Sequence, residues 1–233
     1  MPQHRIVGHD QWVSARKELL AREKEFTRTR DALSAARRDL PWEEVTKAYA
    51  FTGENGKETL ADLFDGRSQL IVYHFMFDPD WDAGCKSCSF MADHFDPAIV
   101  HLAQRDVTMV AVSRAPLDKL LAFRKRMGWS FKWLSSFGSD FNHDYHVTFS
   151  EDEIAKGSAY YNYASGGFPV AETPGISVFY KNDAGKIFHT YSVYARGLDI
   201  FLNAYNYLDI APKGRNEDGL PYSMDWLRLH DSY

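Results

Sequence analysis

Two cysteines are all that this chain of 233 residues contains. Both belong to one Cys-x-x-Cys unit, Cys85 and Cys88, so no disulfide ties distant segments together. A bridge between them closes a tiny loop and restrains little of the unfolded chain. Long apolar runs are missing as well. None approaches the ~18 residues that cross a bilayer as a helix. The opening residues, Met1 to Asp10, lack the apolar stretch of a secretory signal, so a cytoplasmic location is the expectation, and a permanent structural disulfide is not expected there. Positive charge is not in excess: Lys+Arg number 27 against 32 Asp+Glu, a formal net charge of −5. Without a basic face, neither nucleic acid nor an anionic membrane is an expected partner. There is no internal repeat and no low-complexity tract.

What the chain does have is order in its hydrophobic spacing. Trp12, Leu19, Phe26 and Leu33 recur at sevens among charged residues, which predicts a long helix capped by Asp10 and closed by Leu40-Pro41. Its single narrow apolar stripe suits an arm packed on its own domain, with a homodimer seam as the alternative. Tyr49 to Phe64 reads as short strands around Asn55-Gly56, a strong turn signal. Gln69 to Phe77 is nearly continuous apolar sequence, as in a strand buried on both faces. Ser89 to Arg105 has helical spacing with a kink expected at Pro97. Val107 to Ser113 predicts a strand, Leu117 to Met127 a helix stopped at Gly128. Residues 129–172 are irregular and aromatic. Ile176–Lys181 and Lys186–Val193 flank a turn and predict a hairpin. A last helix is expected from Leu198 to about Leu208.

From Gln69 onward the order is strand, helix, strand, helix, insertion, strand, strand, helix. The first two strands are joined through a helix and are therefore parallel, whereas the hairpin is antiparallel. That order, with Cys85 and Cys88 at the first strand-to-helix junction, resembles the thioredoxin core. Thr173-Pro174, just before the hairpin, stands where thioredoxin-like proteins hold a cis-proline beside their dithiol, and a cis bond is expected there. Tyr49 to Gly66 resembles the hairpin that leads into the peroxiredoxin core. Over nearly its full length the chain also resembles an uncharacterised thioredoxin-like family, domain of unknown function 899. Leu40-Pro41-Trp42, Gln69 to Met76, Gly84-Cys85, Ser87-Cys88-Ser89-Phe90 and Ser113-Arg114-Ala115-Pro116 carry the likeness. Met127-Gly128-Trp129, Ser139-Asp140-Phe141-Asn142, Tyr194-Ala195-Arg196-Gly197 and Leu229-His230-Asp231 extend it. The expected architecture is therefore α/β and thioredoxin-like, a central mixed sheet flanked by helices. A helical arm (1–45) precedes the thioredoxin-like domain (46–211, with the insertion 129–172), and a tail (212–233) packs on it.

The expected chemistry follows from position. A helix N-terminus and a neighbouring cation lower a thiol from about 8.5 to about 3.5–7.5, and Lys86 supplies the cation. Cys85 is then the attacking thiolate and Cys88 the resolving thiol of a thiol-disulfide oxidoreductase. Lys86 should also shift the pair toward the oxidising side. Thr173, Pro174, Lys86, Trp81 and Arg114 are the expected substrate edge. The substrate is a protein or small-molecule thiol or disulfide, with an electron donor that the sequence does not identify. No cofactor is called for.

Three other readings stay open. The fold is a non-catalytic adaptor or homodimer with idle cysteines. The cysteines are half of a metal site completed by His74, His94, His101, His143 or His146, although no second ligand pair has convincing spacing. The protein is a thiol peroxidase. Against the last, peroxiredoxins place a Thr or Ser and a Pro ahead of the reactive cysteine, and here the Thr is missing. Asp78, Asp80 and Asp82 in that loop would repel a thiolate. Arg114 is as well placed to pair with one of these acids as to polarise a peroxide. In the insertion, Tyr160, Tyr161, Tyr163 and Phe168 either line a groove or form a second small core.

Overall fold

The structure, a computed structural model, describes residues 4–233. It divides into two compact units, a helical segment ending at Pro41 and the remainder, Trp42–Tyr233. In the first, α1 (His9–Arg38) begins after Gly8 rather than Asp10. Gly8 caps it with extended backbone and no side-chain bond, and Asp10 falls in the first turn, where its charge suits the helix dipole. None of its residues is buried, and its apolar stripe from Trp12 to Leu33 is exposed.

The second unit runs through β1 (Glu43–Glu44), β2 (Ala50–Gly53), β3 (Gly56–Thr59) and β4 (Gln69–His74). Next come α2 (Lys86–Phe95), α3 (Ile99–Ala103), β5 (Val107–Ser113), α4 (Leu117–Met127) and β6 (Trp133–Ser135). The insertion adds α5 (Phe141–Asp144), α6 (Glu151–Ala155), β7 (Ala159–Tyr161) and β8 (Ala164–Gly166). The chain returns through β9 (Gly175–Lys181), β10 (Ile187–Tyr194) and α7 (Asn203–Ile210). Eight strands form one sheet in the order β1-β10-β9-β4-β5-β6-β2-β3. β4 and β5 are parallel, joined through α2 and α3, while β9 pairs antiparallel with both β4 and β10. This is the thioredoxin-like arrangement, with the strand leading into the Cys-x-x-Cys helix at its centre.

The local departures have physical causes. The predicted helix after the cysteines is interrupted, not merely kinked. Pro97 cannot donate to a helical ladder, and a 3-10 turn at Asp96–Ala98 separates α2 from α3. β6 lies in what reads as irregular insertion. Three residues are too few for a period, yet Trp133, Leu134 and Ser135 are all buried beside β5. The final helix begins late, because Ala195–Phe201 forms 3-10 turns first. By contrast, α4 ends at Gly128 in the left-handed region (φ 67°), which glycine adopts without a Cβ clash.

Side chains alternate across β4. Tyr73, Phe75 and Phe77 enter one core with α2, α4 and α7, through residues such as Cys88, Phe123 and Tyr205. Leu70 and Val72 enter the opposite core, closed by Tyr49, Phe51, Phe64, Phe141 and Tyr145. His74 is on that second face and belongs to a buried polar chain. Its Nε2 lies 2.9 Å from Ser177 Oγ, which is 2.9 Å from Ser192 Oγ, itself 2.7 Å from His189 Nε2. In the insertion, Val147, Phe149, Ala159 and Tyr161 form a third, small core with Tyr194 and Phe168.

Candidate active site

The end of β4 delivers the chain into a tight loop whose last residue before the dithiol is Gly84. A Cβ there would sit 2.7 Å from Phe75 Cε1 and 2.9 Å from Phe123 Cε1, so only glycine fits the approach. Cys85 then occupies the N-cap position of α2 with extended backbone (φ −54°, ψ 131°). Its N–H bonds Met76 O at 3.1 Å, and its C=O accepts from both the N–H and the Oγ of Ser89 at 2.9 Å. The Cys85 main chain is thereby locked from both sides.

The two thiols are held in unlike states. Cys85 is half-buried and Cys88 is 1 % exposed. The Cys88 thiol donates to the Cys85 sulfur, the Cys88 and Ser87 N–H groups point at it, and Lys86 adds a smaller attraction. Together they outweigh burial and hold Cys85 down to about 6. Burial pushes the Cys88 thiol well up, and its bond to Cys85 pushes the same way. The Tyr73 hydroxyl and the Met76 N–H, 3.4 Å from Cys88 Sγ, act against that rise.

Lys86 does less for the thiolate than its sequence position implies. Its Nζ bonds Asp225 O at 3.0 Å, lies 3.8 Å from Asp225 Oδ1, and sits over the Tyr222 ring. The cation therefore holds the C-terminal segment, while helix N–H groups and the partner thiol do most of the work on Cys85. Trp81 is half-buried and packed against the first core, its carbonyl accepting from Lys119 Nζ at 2.8 Å. Arg114 is committed elsewhere. It bonds Asp78 Oδ2 at 2.7 Å and Glu172 Oε1 at 2.6 Å. Glu172 is 1 % exposed and also accepts from Thr148 Oγ1 at 3.0 Å. Burial pushes its carboxyl up to about 7, against the pull of Arg114. Asp78 is thus paired, and Asp80 and Asp82 are exposed.

Pro174 borders the same cavity as Ser87 and Cys88 of α2, but the expected cis bond is absent: no cis peptide occurs among the described residues. Thr148 and Glu172 form a bridge, and the Thr173 N–H bonds Val147 O at 2.9 Å. The segment is therefore held as an extended continuation of the insertion and needs no reversal at the proline. The Thr173 Oγ1 is buried without a hydrogen-bond partner.

Beside the dithiol lies a cavity of about 1020 Å³. Ser87, Cys88, Tyr73, Pro174, Tyr161 and Met224 are among its lining residues. Of the expected substrate edge only Pro174 borders it; Thr173, Lys86, Trp81 and Arg114 do not. Sequence reasoning missed Tyr73, which sits inside an apolar run, and Glu172. It also missed the cavity residues between Lys213 and Met224, which read as a surface tail. A hint was available in Tyr73-His74, two polar-tipped residues at the end of a strand otherwise built to be buried. Among the described residues no group of three or more His, Cys, Asp or Glu is placed to hold a metal ion, and no helix is long and apolar enough to cross a membrane.

Comparison with known proteins identifies the family. The chain belongs to the family described as "Bacterial protein of unknown function (DUF899)", which matches residues 1–233. No curated protein matches the sequence. Among solved structures, the chain is similar to peroxidoxin BcpB from Mycobacterium tuberculosis, at 14% identity and a TM-score of 0.43, covering 70% of this chain and 94% of that one. A peroxiredoxin Q from Xanthomonas campestris is 12% identical with a TM-score of 0.44, covering 70% and 96%. A structure titled as a putative thiol:disulfide interchange protein DsbE from Chlorobium tepidum is 13% identical with a TM-score of 0.43, covering 71% and 97%.

Proposed function

We propose that this member of the family is a thiol-disulfide oxidoreductase, with Cys85 as nucleophile and Cys88 as resolving thiol. One observation carries the reading: two thiols at a helix N-terminus are driven in opposite directions, Cys85 toward the thiolate and Cys88 toward the protonated thiol. Dithiol exchange needs that asymmetry. The Cys85 thiolate attacks a disulfide sulfur and one thiolate leaves. Cys88, losing its proton, then attacks Cys85 Sγ and expels the second. Two electrons pass from the dithiol to the substrate. The same groups run the reaction backward if the partner is the reductant.

Alkylation of the reduced protein across a pH series tests it. Cys85 should label with a midpoint near 6, far faster than Cys88. Equal and slow labelling of both would favour the idle-cysteine adaptor instead. The peroxidase reading loses support from Arg114, whose guanidinium is bound to Asp78 and Glu172 and is not free for a peroxide.

A further inference from the structure

We propose that the disulfide exchanged at this site belongs to a small molecule and not to a protein. The proposal rests on the dithiol reading above and specifies its substrate class. Two independent features carry it, one closing the edge a polypeptide would use and one building a chamber for something smaller.

An extended peptide docks on a strand edge through main-chain hydrogen bonds. Here the edge beside the dithiol is already taken. The chain's own residues 147–149 lie along residues 171–173: the Phe149 N–H bonds Ala171 O at 2.9 Å and the Thr173 N–H bonds Val147 O at 2.9 Å. The Pro174 carbonyl accepts from the Tyr161 hydroxyl at 2.7 Å, and that hydroxyl in turn accepts the Ala195 N–H at 2.9 Å. The main-chain groups that would register a protein substrate against Pro174 are therefore consumed by the insertion.

The cavity of about 1020 Å³ is lined by Ser87 and Cys88, whose N–H groups and thiol bond the Cys85 sulfur, and not by Cys85 itself; its volume is at the top of the scale of small-molecule pockets, roughly 300–1,000 Å³. Its far wall is the C-terminal segment, and that wall is firmly built. Glu217 Oε1 accepts from the Tyr205 hydroxyl at 2.6 Å, the Met224 N–H at 3.0 Å and the Trp226 Nε1 at 2.7 Å. Arg215 clamps Asp209 through two bonds, reaches Asp199 at 3.1 Å and lies 3.9 Å from the Tyr205 ring centroid. Lys86, the residue next to the nucleophile, holds the same segment through Asp225 O. The interior is lined by Met76, Met91, Leu198, Leu202 and Met224, whereas Arg196, Lys213 and Asp218 are exposed and put both signs of charge at the rim. A chamber that mixes these apolar side chains with charged ones, Asp199, Asp209, Arg215 and Glu217, under a rim of both signs suits a low-molecular-weight disulfide with zwitterionic ends. In the exchange, the protein's dithiol becomes the Cys85–Cys88 disulfide and the small disulfide becomes two thiols. A single turnover of pre-reduced protein needs no further reductant.

Stopped-flow oxidation of the pre-reduced protein tests this, with cystine and hydroxyethyl disulfide as small probes and insulin as the protein disulfide. The small probes should react roughly a hundredfold faster, the scale on which misplacing the reacting atoms costs rate. Insulin reacting as fast as either probe overturns the proposal and leaves the dithiol reading standing. No reaction with any of the three overturns both. Met224→Trp, which fills the cavity, should slow the small probes roughly tenfold without moving the pH midpoint of Cys85 alkylation. Leu220→Trp fills the cavity from another position and carries the test if Met224→Trp fails to fold. Unchanged small-probe rates in a folded filling variant also overturn the proposal.

Discussion

Neighbouring residues of β4, Tyr73 and His74, carry polar groups to opposite faces of the same sheet, and the two layers differ in kind. On the Tyr73 face, a buried hydroxyl stands against Cys88, beside a helix N-terminus and a cavity. On the His74 face, His74, Ser177, Ser192 and His189 form a hydrogen-bonded chain within aromatic packing, ending 3.7 Å from Glu43. Burial holds His74 down to about 3 and lowers His189, so both rings are neutral near pH 7. One face thus holds a thiol pushed toward its charged form and the other holds imidazoles pushed toward their neutral form. The difference lies in what meets the buried group. Helix N–H groups favour a charged sulfur next to open space, while hydroxyls and aromatic rings favour neutral imidazoles in a closed core.

Five substitutions, one of them read by acid titration, would break or sharpen that contrast. The largest effect belongs to Cys85→Ser, which should abolish disulfide exchange with little change in the unfolding midpoint. Cys88→Ser should instead accumulate a mixed disulfide on Cys85, visible by mass spectrometry. Detectable turnover in Cys85→Ser would move the chemistry away from this face.

Acid titration comes next. His74 has a folded pKa of about 3 against an ordinary 6.5. The unfolded chain therefore binds its proton first, and the stabilising contribution is complete above pH 6.5 and is lost as pH falls toward 3. That limb is worth roughly 5 kcal/mol at 1.36 kcal/mol per unit. His74→Gln, which keeps a polar group near Ser177 but does not titrate, should flatten it in urea unfolding followed from pH 7 to 4. An unchanged acid limb would mean that other groups set it.

His74→Ala should cost about 2–4 kcal/mol, since it opens a cavity against Phe141 and Tyr145 and takes one partner from Ser177. The alkylation midpoint of Cys85 should not move. A shift of a full unit would show that the two faces are electrically linked.

The smallest effect is expected for Tyr73→Phe. Its hydroxyl opposes the rise of the Cys88 pKa, so its loss should slow the resolving step a few-fold, by about 1 kcal/mol for one neutral hydrogen bond. Attack by Cys85 should be unaffected. Quenched single-turnover experiments separate the two steps.

The elements legible in the sequence are those with a period or a strong stop signal. β4, β5, α4 and the β9–β10 hairpin fall where spacing, Gly128 and the turn at Asn182-Asp183 put them. The Pro97 break was legible as a disturbance, though not as the full interruption it is. β6 was not legible, because three residues carry no period and their burial depends on β5. The same holds for the site. Cys85 and Cys88 stood out from the one-dimensional text as a pair at a strand-to-helix junction. Glu172 and Tyr73 did not, because their partners Arg114 and Cys88 are far away in the chain.

What the sequence by itself determined is therefore local: the dithiol, the helix it caps, the apolar strand that leads to it, and the stop at Gly128. The tertiary structure decided which groups charge. It turned Lys86 toward Asp225, locked Arg114 between Asp78 and Glu172, kept the Thr173-Pro174 segment extended, and set the C-terminal segment across a cavity from Cys88. The reason is physical. Helix capping acts over one turn, whereas desolvation and ion pairing depend on neighbours that only folding brings within a few ångströms.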